Sequence, residues 1–176
     1  MRRSGLSPTG RLFRLTLGVL AVALLSATPC QARGGYEGAP APAFEARTLD
    51  GRNVGTVALQ GKVILLHFWA TWCPPCREEM PALDAFYQAH RAEGFEVVAI
   101  SVDVDADLAK VREFAKPFAF AVAMRSAAHV DGYGRIRALP LTFVIDRNGV
   151  MRKAEWTGEQ QIDTSSLEKY VLPLLH

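Results

Sequence analysis

The chain has 176 residues, of which 49% are hydrophobic, and its 20 basic and 18 acidic residues give a formal net charge of +2. A charge so close to zero provides no extended basic surface, so we predict no nucleic-acid partner. The length allows one domain of ordinary size with a hydrophobic core of its own.

Residues 1–32 have the composition of a secretory signal segment. An apolar stretch at 15–27 follows four basic residues, and the first acidic residue is Glu37; the basic residues are Arg2, Arg3, Arg11 and Arg14. Small residues allow cleavage after Ala32. Because the apolar stretch is shorter than the roughly 20 residues that a spanning helix needs, we predict export to the periplasm or another extracytoplasmic space. Retention of an uncleaved leader as a membrane anchor is the alternative.

The third cysteine, Cys30, lies inside this leader, so cleavage would leave Cys73 and Cys76 as the only cysteines. Lipid modification of Cys30 and a twin-arginine signal at residues 2–3 are weaker alternatives. Without the four leader arginines, 16 basic residues face 18 acidic ones, and the net charge becomes −2. The Gly-, Ala- and Pro-rich residues 33–43 are predicted to form a flexible tether ahead of a domain at 44–176.

Predicted strands and helices alternate along this domain. Apolar alternation and β-branched runs indicate strands at 44–48, 54–57, 62–68, 95–102, 118–124, 141–145 and 150–156. Helical spacing and capping residues indicate helices near 73–91, 105–116 and 164–175, with a helical turn at 126–133. This order predicts an α/β fold with a central mixed sheet flanked by helices on both faces, and Asp50-Gly51 predicts an N-terminal β-hairpin extension.

The segment Trp72-Cys73-Pro74-Pro75-Cys76 falls where a buried strand turns into a helix. Two cysteines at this spacing can cycle between dithiol and disulfide, and the N-terminal end of a helix favours a thiolate. A purely structural disulfide around so short a loop would add only about 2 kcal/mol. A zinc or copper site needs more ligands than two thiolates, and the only histidines are His67, His90, His129 and His176. We therefore predict a redox-active disulfide with no metal and no further cofactor.

Three features together resemble the thioredoxin superfamily: the Trp-Cys-Pro-Pro-Cys motif after an apolar strand, Pro81 five residues beyond Cys76, and the run from Leu139 to Asp146. Within it, residues 40–176 are most similar to the TlpA/ResA-like extracytoplasmic thiol–disulfide oxidoreductases. The resemblance implies a thioredoxin-like fold. It also implies that Cys73 is the exposed nucleophile and that Cys76 resolves the mixed disulfide.

The same resemblance implies which residues shape the site. Pro140 matches the family's cis-proline, which packs opposite the disulfide, and Leu139 before it would offer its backbone to an extended partner segment. Pro74 and Pro75 restrict the turn between the cysteines and supply no charge to a thiolate, which favours a reductant over an oxidant. Trp72 is expected at the lip of the site.

Two positions depart from the family's pattern. His67 stands where thioredoxin has a buried Asp that moves the proton of the second thiol; an imidazole could do the same, or could be a satisfied core histidine. Leu141 follows Pro140 where relatives dedicated to cytochrome c maturation commonly have Glu. Two further expectations concern packing: Trp69 belongs to the core, and Glu79 is a solvated charge in the first helical turn.

These features predict a monomeric thiol–disulfide oxidoreductase that reduces disulfide-containing proteins and takes electrons from a membrane thiol donor. Cytochrome c biogenesis and copper-centre biogenesis are both open as its context. The alternative is a copper-binding metallochaperone of thioredoxin-like fold. Peroxide turnover is not expected, because the Pro-x-x-x-Thr-x-x-Cys spacing of peroxidases with this fold is absent.

Overall fold

The computed structural model describes residues 37–157 and 161–176, so the predicted leader with Cys30 and residues 33–36 of the predicted tether lie outside the described residues. The seven strands are β1 (Glu45–Thr48), β2 (Asn53–Gly55), β3 (Val63–Trp69), β4 (Phe95–Ser101), β5 (Ala121–His129), β6 (Leu141–Ile145) and β7 (Met151–Thr157). The helices are α1 (Pro74–His90), α2 (Leu108–Ala115) and α3 (Thr164–Tyr170). Within the two described ranges, no helix is long and apolar enough to cross a membrane.

The strands form one mixed sheet in the order β2-β1-β5-β4-β3-β6-β7. β3 runs parallel to β4, and β4 runs parallel to β5, while the pairs β3–β6, β6–β7, β1–β5 and β1–β2 are antiparallel. Every residue of β3 is buried, which explains why its sequence is apolar except at His67. The end of β3 leads through residues 70–72 into α1. The sheet thus fixes the start of that helix, where Cys73 lies.

The two faces of the sheet are covered differently. All three helices contribute to the core on one face, the helical face, through Met80, Leu83, Val111, Ala115 and Leu167 among others. The core on the opposite face contains no residue of α1, α2 or α3; it is closed by residues 130–140, which we call the strap, and by the N-terminal segment. The prediction of flanking helices is therefore confirmed, but their placement on both faces was wrong.

Chain direction explains why α1 and α2 share a face. Successive crossovers from β3 to β4 and from β4 to β5 move the same way across the sheet. Because parallel crossover connections are right-handed, α1 and α2 must lie on the same side. Alternation of strands and helices along a sequence does not reveal this direction.

The predicted N-terminal hairpin is present as β1 and β2, joined by a turn in which the Gly51 N–H donates to the Thr48 carbonyl at 2.9 Å. Gly51 has φ 88°, a conformation that glycine adopts without strain. β1 also pairs with β5, matching Glu45 with His129. This pairing draws residues 126–129 into β5, where a helical turn was predicted; only Asp131–Tyr133 form a short 3₁₀ turn.

The described part of the predicted tether is not free. The Gly38 N–H donates to the Met151 carbonyl at 2.7 Å, and the Ala41 N–H donates to the Gly149 carbonyl at 2.8 Å. The Glu37 carboxylate accepts from the Ala154 N–H at 3.1 Å. Residues 37–41 therefore cover the outer edge of β7, and the expectation of a flexible segment was wrong for them. Composition alone does not show that a Gly- and Pro-rich segment has a strand edge to bind.

Candidate active site

Cys73 and Cys76 form a disulfide at the N-terminus of α1, with their Cα atoms 5.4 Å apart. Cys73 is the N-cap residue, and its Sγ accepts a hydrogen bond from the Cys76 N–H at 3.3 Å. The first two helical positions are Pro74 and Pro75, which have no N–H. The cap therefore directs one backbone donor, reinforced by the dipole of a 17-residue helix, at the sulfur of Cys73.

The two sulfurs differ in access. Cys76 is completely buried, whereas Cys73 keeps 4% of its surface exposed, which is less exposure than the sequence indicated. Cys73 lines a groove of about 570 Å³, and Cys76 does not. We call this the disulfide groove; its other lining residues are Trp72, Pro74, Pro75, Val102, Arg125, Ile136, Arg137, Ala138 and Leu139. A partner in this groove meets Cys73 first.

The motif and the strap both line the disulfide groove. Trp72 is 66% exposed there, in agreement with its predicted place at the lip. Leu139 also lines the groove, and the Leu139–Pro140 peptide bond is cis. Four of the five residues expected to shape the site, Trp72, Pro74, Pro75 and Leu139, therefore line the groove, while Pro140 directly follows Leu139 and is buried.

Asp103, which the sequence analysis did not single out, anchors the loop that precedes the motif. Its carboxylate accepts hydrogen bonds from the Thr71 N–H at 2.9 Å and from the Thr71 hydroxyl at 2.6 Å. The Ser101 hydroxyl donates to the same carboxylate at 2.7 Å. The sequence signal for Asp103 was its position as an acidic residue just after the apolar strand β4. β4 is the parallel neighbour of β3, which leads into the cysteines.

His67 is buried at the centre of β3, on the face that carries the helices. Its Nδ1 lies 2.8 Å from the Thr142 hydroxyl, and its Nε2 has no hydrogen-bond partner among the described residues. Burial lowers the pKa of His67 to about 4. The imidazole is therefore neutral at physiological pH.

Glu79 is the main site feature that sequence reasoning missed. It lies three residues after Cys76 on α1, which places both on the same side of the helix. It is only 1% exposed, and its Oε1 accepts a hydrogen bond at 3.0 Å from the N–H of Ile162, in the segment just before α3. Its Oε2 has no partner in the described part of the chain, and burial raises the pKa of Glu79 to about 7. The expectation of a solvated charge was wrong.

Trp69 is fully buried, as predicted, and its ring packs 5.3 Å from that of Phe114. Among residues 37–157 and 161–176, no group of three or more His, Cys, Asp or Glu side chains could hold a metal ion. Three buried polar residues, His67, Glu79 and Asp103, thus lie in the segments around the cysteine pair.

A vicinal cysteine pair at a helix N-terminus on a thioredoxin-like sheet defines a thiol–disulfide oxidoreductase, and comparison with known proteins agrees. The sequence profile of the AhpC/TSA family matches residues 38–154, so the chain belongs to this family. A thiol-disulfide oxidoreductase ResA of Bacillus cereus is 35% identical over 128 residues, which cover 70% of this chain and 73% of ResA.

Two further relatives have the same type of activity in their names. Sporulation thiol-disulfide oxidoreductase A of Bacillus subtilis (strain 168) is 26% identical over 160 residues, covering 82% of this chain and 96% of that protein. The crystal structure of a thioredoxin-family thiol:disulfide interchange protein from Chlorobium tepidum TLS superimposes with a TM-score of 0.67 at 27% identity. The match covers 81% of this chain and all of that one.

Proposed function

We propose that this thiol–disulfide oxidoreductase acts outside the cytoplasm as a reductant of disulfides in other proteins. The observation that carries the proposal is the unequal access of the two sulfurs, since only Cys73 lines the disulfide groove. In the dithiol form, the Cys73 thiolate attacks one sulfur of a partner disulfide. A Cys73–partner bond forms, the partner's S–S bond breaks, and the released partner thiolate takes up a proton.

The second step returns the partner as a dithiol. The Cys76 thiol loses its proton and attacks Sγ of Cys73, which forms the Cys73–Cys76 disulfide and releases the partner's remaining sulfur as a thiolate. Two electrons have then passed to the partner. A thiol donor, which we propose to be a membrane protein, must reduce the disulfide before the next cycle.

The helix cap supports this direction of transfer. A disulfide is strongly oxidising when the thiolate of its reduced form is unusually stable. Here Pro74 and Pro75 remove two backbone donors from the first turn, and no side chain between the cysteines replaces them. The Cys73 thiolate has the dipole and one N–H, which activate it without stabilising it strongly.

Glu79 fits the removal of the Cys76 proton better than His67 does. A group that accepts a proton at neutral pH works best with a pKa near 7, and burial raises the pKa of Glu79 to about that value. The pKa of His67 is about 4, and its Nδ1 is engaged with Thr142. We therefore propose Glu79 as the proton acceptor and His67 as a neutral residue of the sheet core.

The leader-like composition of residues 1–32 supports an extracytoplasmic location. Apocytochromes c and copper-centre subunits are candidate substrates there, because both are matured with reduced cysteines. Among the described residues no group of three or more His, Cys, Asp or Glu side chains could hold a metal ion, so no ligand cluster beyond the two cysteines supports a copper-binding metallochaperone. We propose a monomeric reductase without a bound cofactor.

Two measurements test the proposal. Equilibration of the mature protein with glutathione should give a reduction potential well below the roughly −120 mV of a strong protein oxidant. Expression of Cys76→Ser should accumulate mixed disulfides between Cys73 and partner proteins, whereas the matched variant Cys73→Ser should accumulate none. A strongly oxidising potential would reverse the direction of transfer, and equal trapping by both variants would mean that the nucleophile is misassigned.

A further inference from the structure

The strap lines one part of the disulfide groove without regular hydrogen-bonded partners. Residues 134–137 belong to no helix or strand, and residues 135–139 form no backbone hydrogen bond with any described residue. Four of these five residues, Ile136, Arg137, Ala138 and Leu139, line the disulfide groove beside Cys73. Unpaired backbone beside a groove is the surface on which an extended peptide adds as a further strand.

Exposure alternates over residues 135–137 of this segment. Ile136 packs inward against the core beneath the strap, while Arg135 and Arg137 on either side of it are exposed. Neither arginine forms an ion pair or a hydrogen bond with any residue in 37–157 or 161–176. Two cationic side chains thus stand on a stretch of backbone beside the disulfide groove that is free to pair with a partner.

The residues that line the disulfide groove also carry more positive than negative charge. No carboxylate of a described residue lines it, while Arg125 and Arg137 do. The charge of Arg125 is offset by Asp131, whose Oδ1 lies 3.1 Å from the Arg125 Nη2, so Arg137 is the unpaired cation at the groove. Arg137 also lines a neighbouring cavity of about 530 Å³, where Arg135 and Glu155 contribute one charge of each sign.

We propose that Arg137, with Arg135, selects disulfide partners that carry an acidic residue within two or three positions of the reacting cysteine. The partner is an extended protein segment that pairs with the strap backbone, places its disulfide at Cys73, and directs a carboxylate toward Arg137. This proposal rests on the proposed function, because the chemistry it serves is the same exchange at Cys73. It adds a preference in charge that the exchange itself does not require.

The test uses three synthetic peptides, each with one cysteine capped as a mixed disulfide with 2-mercaptoethanol. They differ only at the position two residues from the cysteine, which is Glu, Gln or Lys. The pre-reduced mature protein is mixed with each peptide, and the second-order rate constant of a single turnover is followed by tryptophan fluorescence. Bis(2-hydroxyethyl) disulfide, which has no charge and no peptide, serves as a probe of the exchange chemistry in the wild-type protein.

Exposed ion pairs contribute little individually, so we expect the Glu peptide to react about threefold faster than the Gln peptide and the Lys peptide about threefold slower. The spread should shrink in high salt. Arg137→Glu should invert the ratio of the Glu to the Lys rate, and Arg135→Glu should reduce it. The matched control Arg47→Glu changes the same charge at an exposed site on β1 outside the groove and should preserve the ratio.

Comparing ratios within each variant removes any general loss of rate. Equal rates for the three wild-type peptides, a faster Lys peptide, or a ratio that Arg137→Glu leaves unchanged would each overturn the proposal. If the wild-type protein fails to reduce bis(2-hydroxyethyl) disulfide as well, the proposed reductase function fails. Reduction of that probe without a charge preference among the peptides refutes only the selection by the strap.

Discussion

The two faces of the sheet contribute different kinds of residues around the disulfide. On the helical face, α1 places Cys73 and Cys76 above a core that also holds His67 and Glu79. On the other face, an aromatic core lies beneath the strap, and Phe44, Phe68, Tyr133 and Phe143 pack there ring against ring. On the helical face, burial raises the pKa of Glu79 to about 7 and lowers the pKa of His67 to about 4.

This contrast indicates a division of labour. Groups that can move protons or stabilise a thiolate come from the helical face, whereas the wall that a partner touches comes from the strap. Leu139 joins the two, since it packs against both cores and lines the disulfide groove. Substitutions on the helical face should therefore change pH dependence, and substitutions on the strap face should change stability and partner binding.

The largest change in stability is expected from Tyr133→Ala on the strap face. Tyr133 is buried, its ring lies 4.9 Å from that of Phe143, and its hydroxyl donates to the Pro42 carbonyl at 2.8 Å. Removing the ring leaves a cavity, so we expect the free energy of unfolding in urea to fall by about 3–4 kcal/mol. The reduction potential of the cysteines should stay the same.

The matched control is Tyr133→Phe, which keeps the ring and removes the hydrogen bond to Pro42. We expect it to cost about 1 kcal/mol. A shift in reduction potential in either variant would show that the strap face also sets the chemistry, which would break the comparison. A loss below about 1 kcal/mol in Tyr133→Ala would show that the strap is not held by this ring.

The next largest effect should come from Glu79→Gln on the helical face, and it depends on pH. The carboxyl has an ordinary pKa of 4.5 and a pKa of about 7 in the folded protein. A raised pKa stabilises the folded state at low pH, and that stability is lost as the pH rises from 4.5 through 7. Glutamine does not titrate. The free energy of unfolding of the variant, relative to that of the wild-type protein, should therefore rise by about 2 kcal/mol from about pH 5 to about pH 8.

Urea unfolding of the oxidised wild-type and variant proteins at both pH values measures this difference. Any contribution of His67 is present in both proteins and cancels. Glu168→Gln, at an exposed position of α3, is the control and should show no such change with pH. If Glu79→Gln follows the wild-type protein at both pH values, Glu79 is ionised in the folded state and its role as proton acceptor loses its basis.

Local sequence signals predicted the parts of the fold that depend on local physics. The apolar run of β3, the helix capped by Cys73, and the Asp146–Gly149 turn between β6 and β7 all lie where the sequence indicated. Trp69 and Trp72 could likewise be assigned to the core and to the surface. These features follow from periodicity, capping and turn chemistry within a few residues.

What the sequence did not reveal depends on contacts between distant segments. Glu79 was expected to be an exposed charge near the start of α1, and its buried carboxylate instead contacts Ile162, 83 positions away. Residues 126–129 became strand because β1 pairs with them, and residues 37–41 are ordered because β7 offers an edge. The burial that raises the pKa of Glu79 is therefore a tertiary effect without a local signal.

The smallest change in stability is expected from Trp72→Ala, where the two faces meet. Trp72 is 66% exposed, so its removal should alter the free energy of unfolding by less than about 0.5 kcal/mol. It lines the disulfide groove on one side and, on the other, a second groove of about 830 Å³ that includes Phe114 and Phe118. An exposed tryptophan between two apolar grooves is suited to contact a partner, and interface tryptophans commonly contribute more than about 1 kcal/mol to binding. We therefore expect the single-turnover rate with a peptide disulfide to fall about fivefold or more, while the rate with bis(2-hydroxyethyl) disulfide changes little. An equal loss of rate with both substrates would mean that Trp72 supports the reactivity of the cysteines themselves. Trp72 would then contribute to the exchange chemistry, as the helical face does, and not to partner recognition.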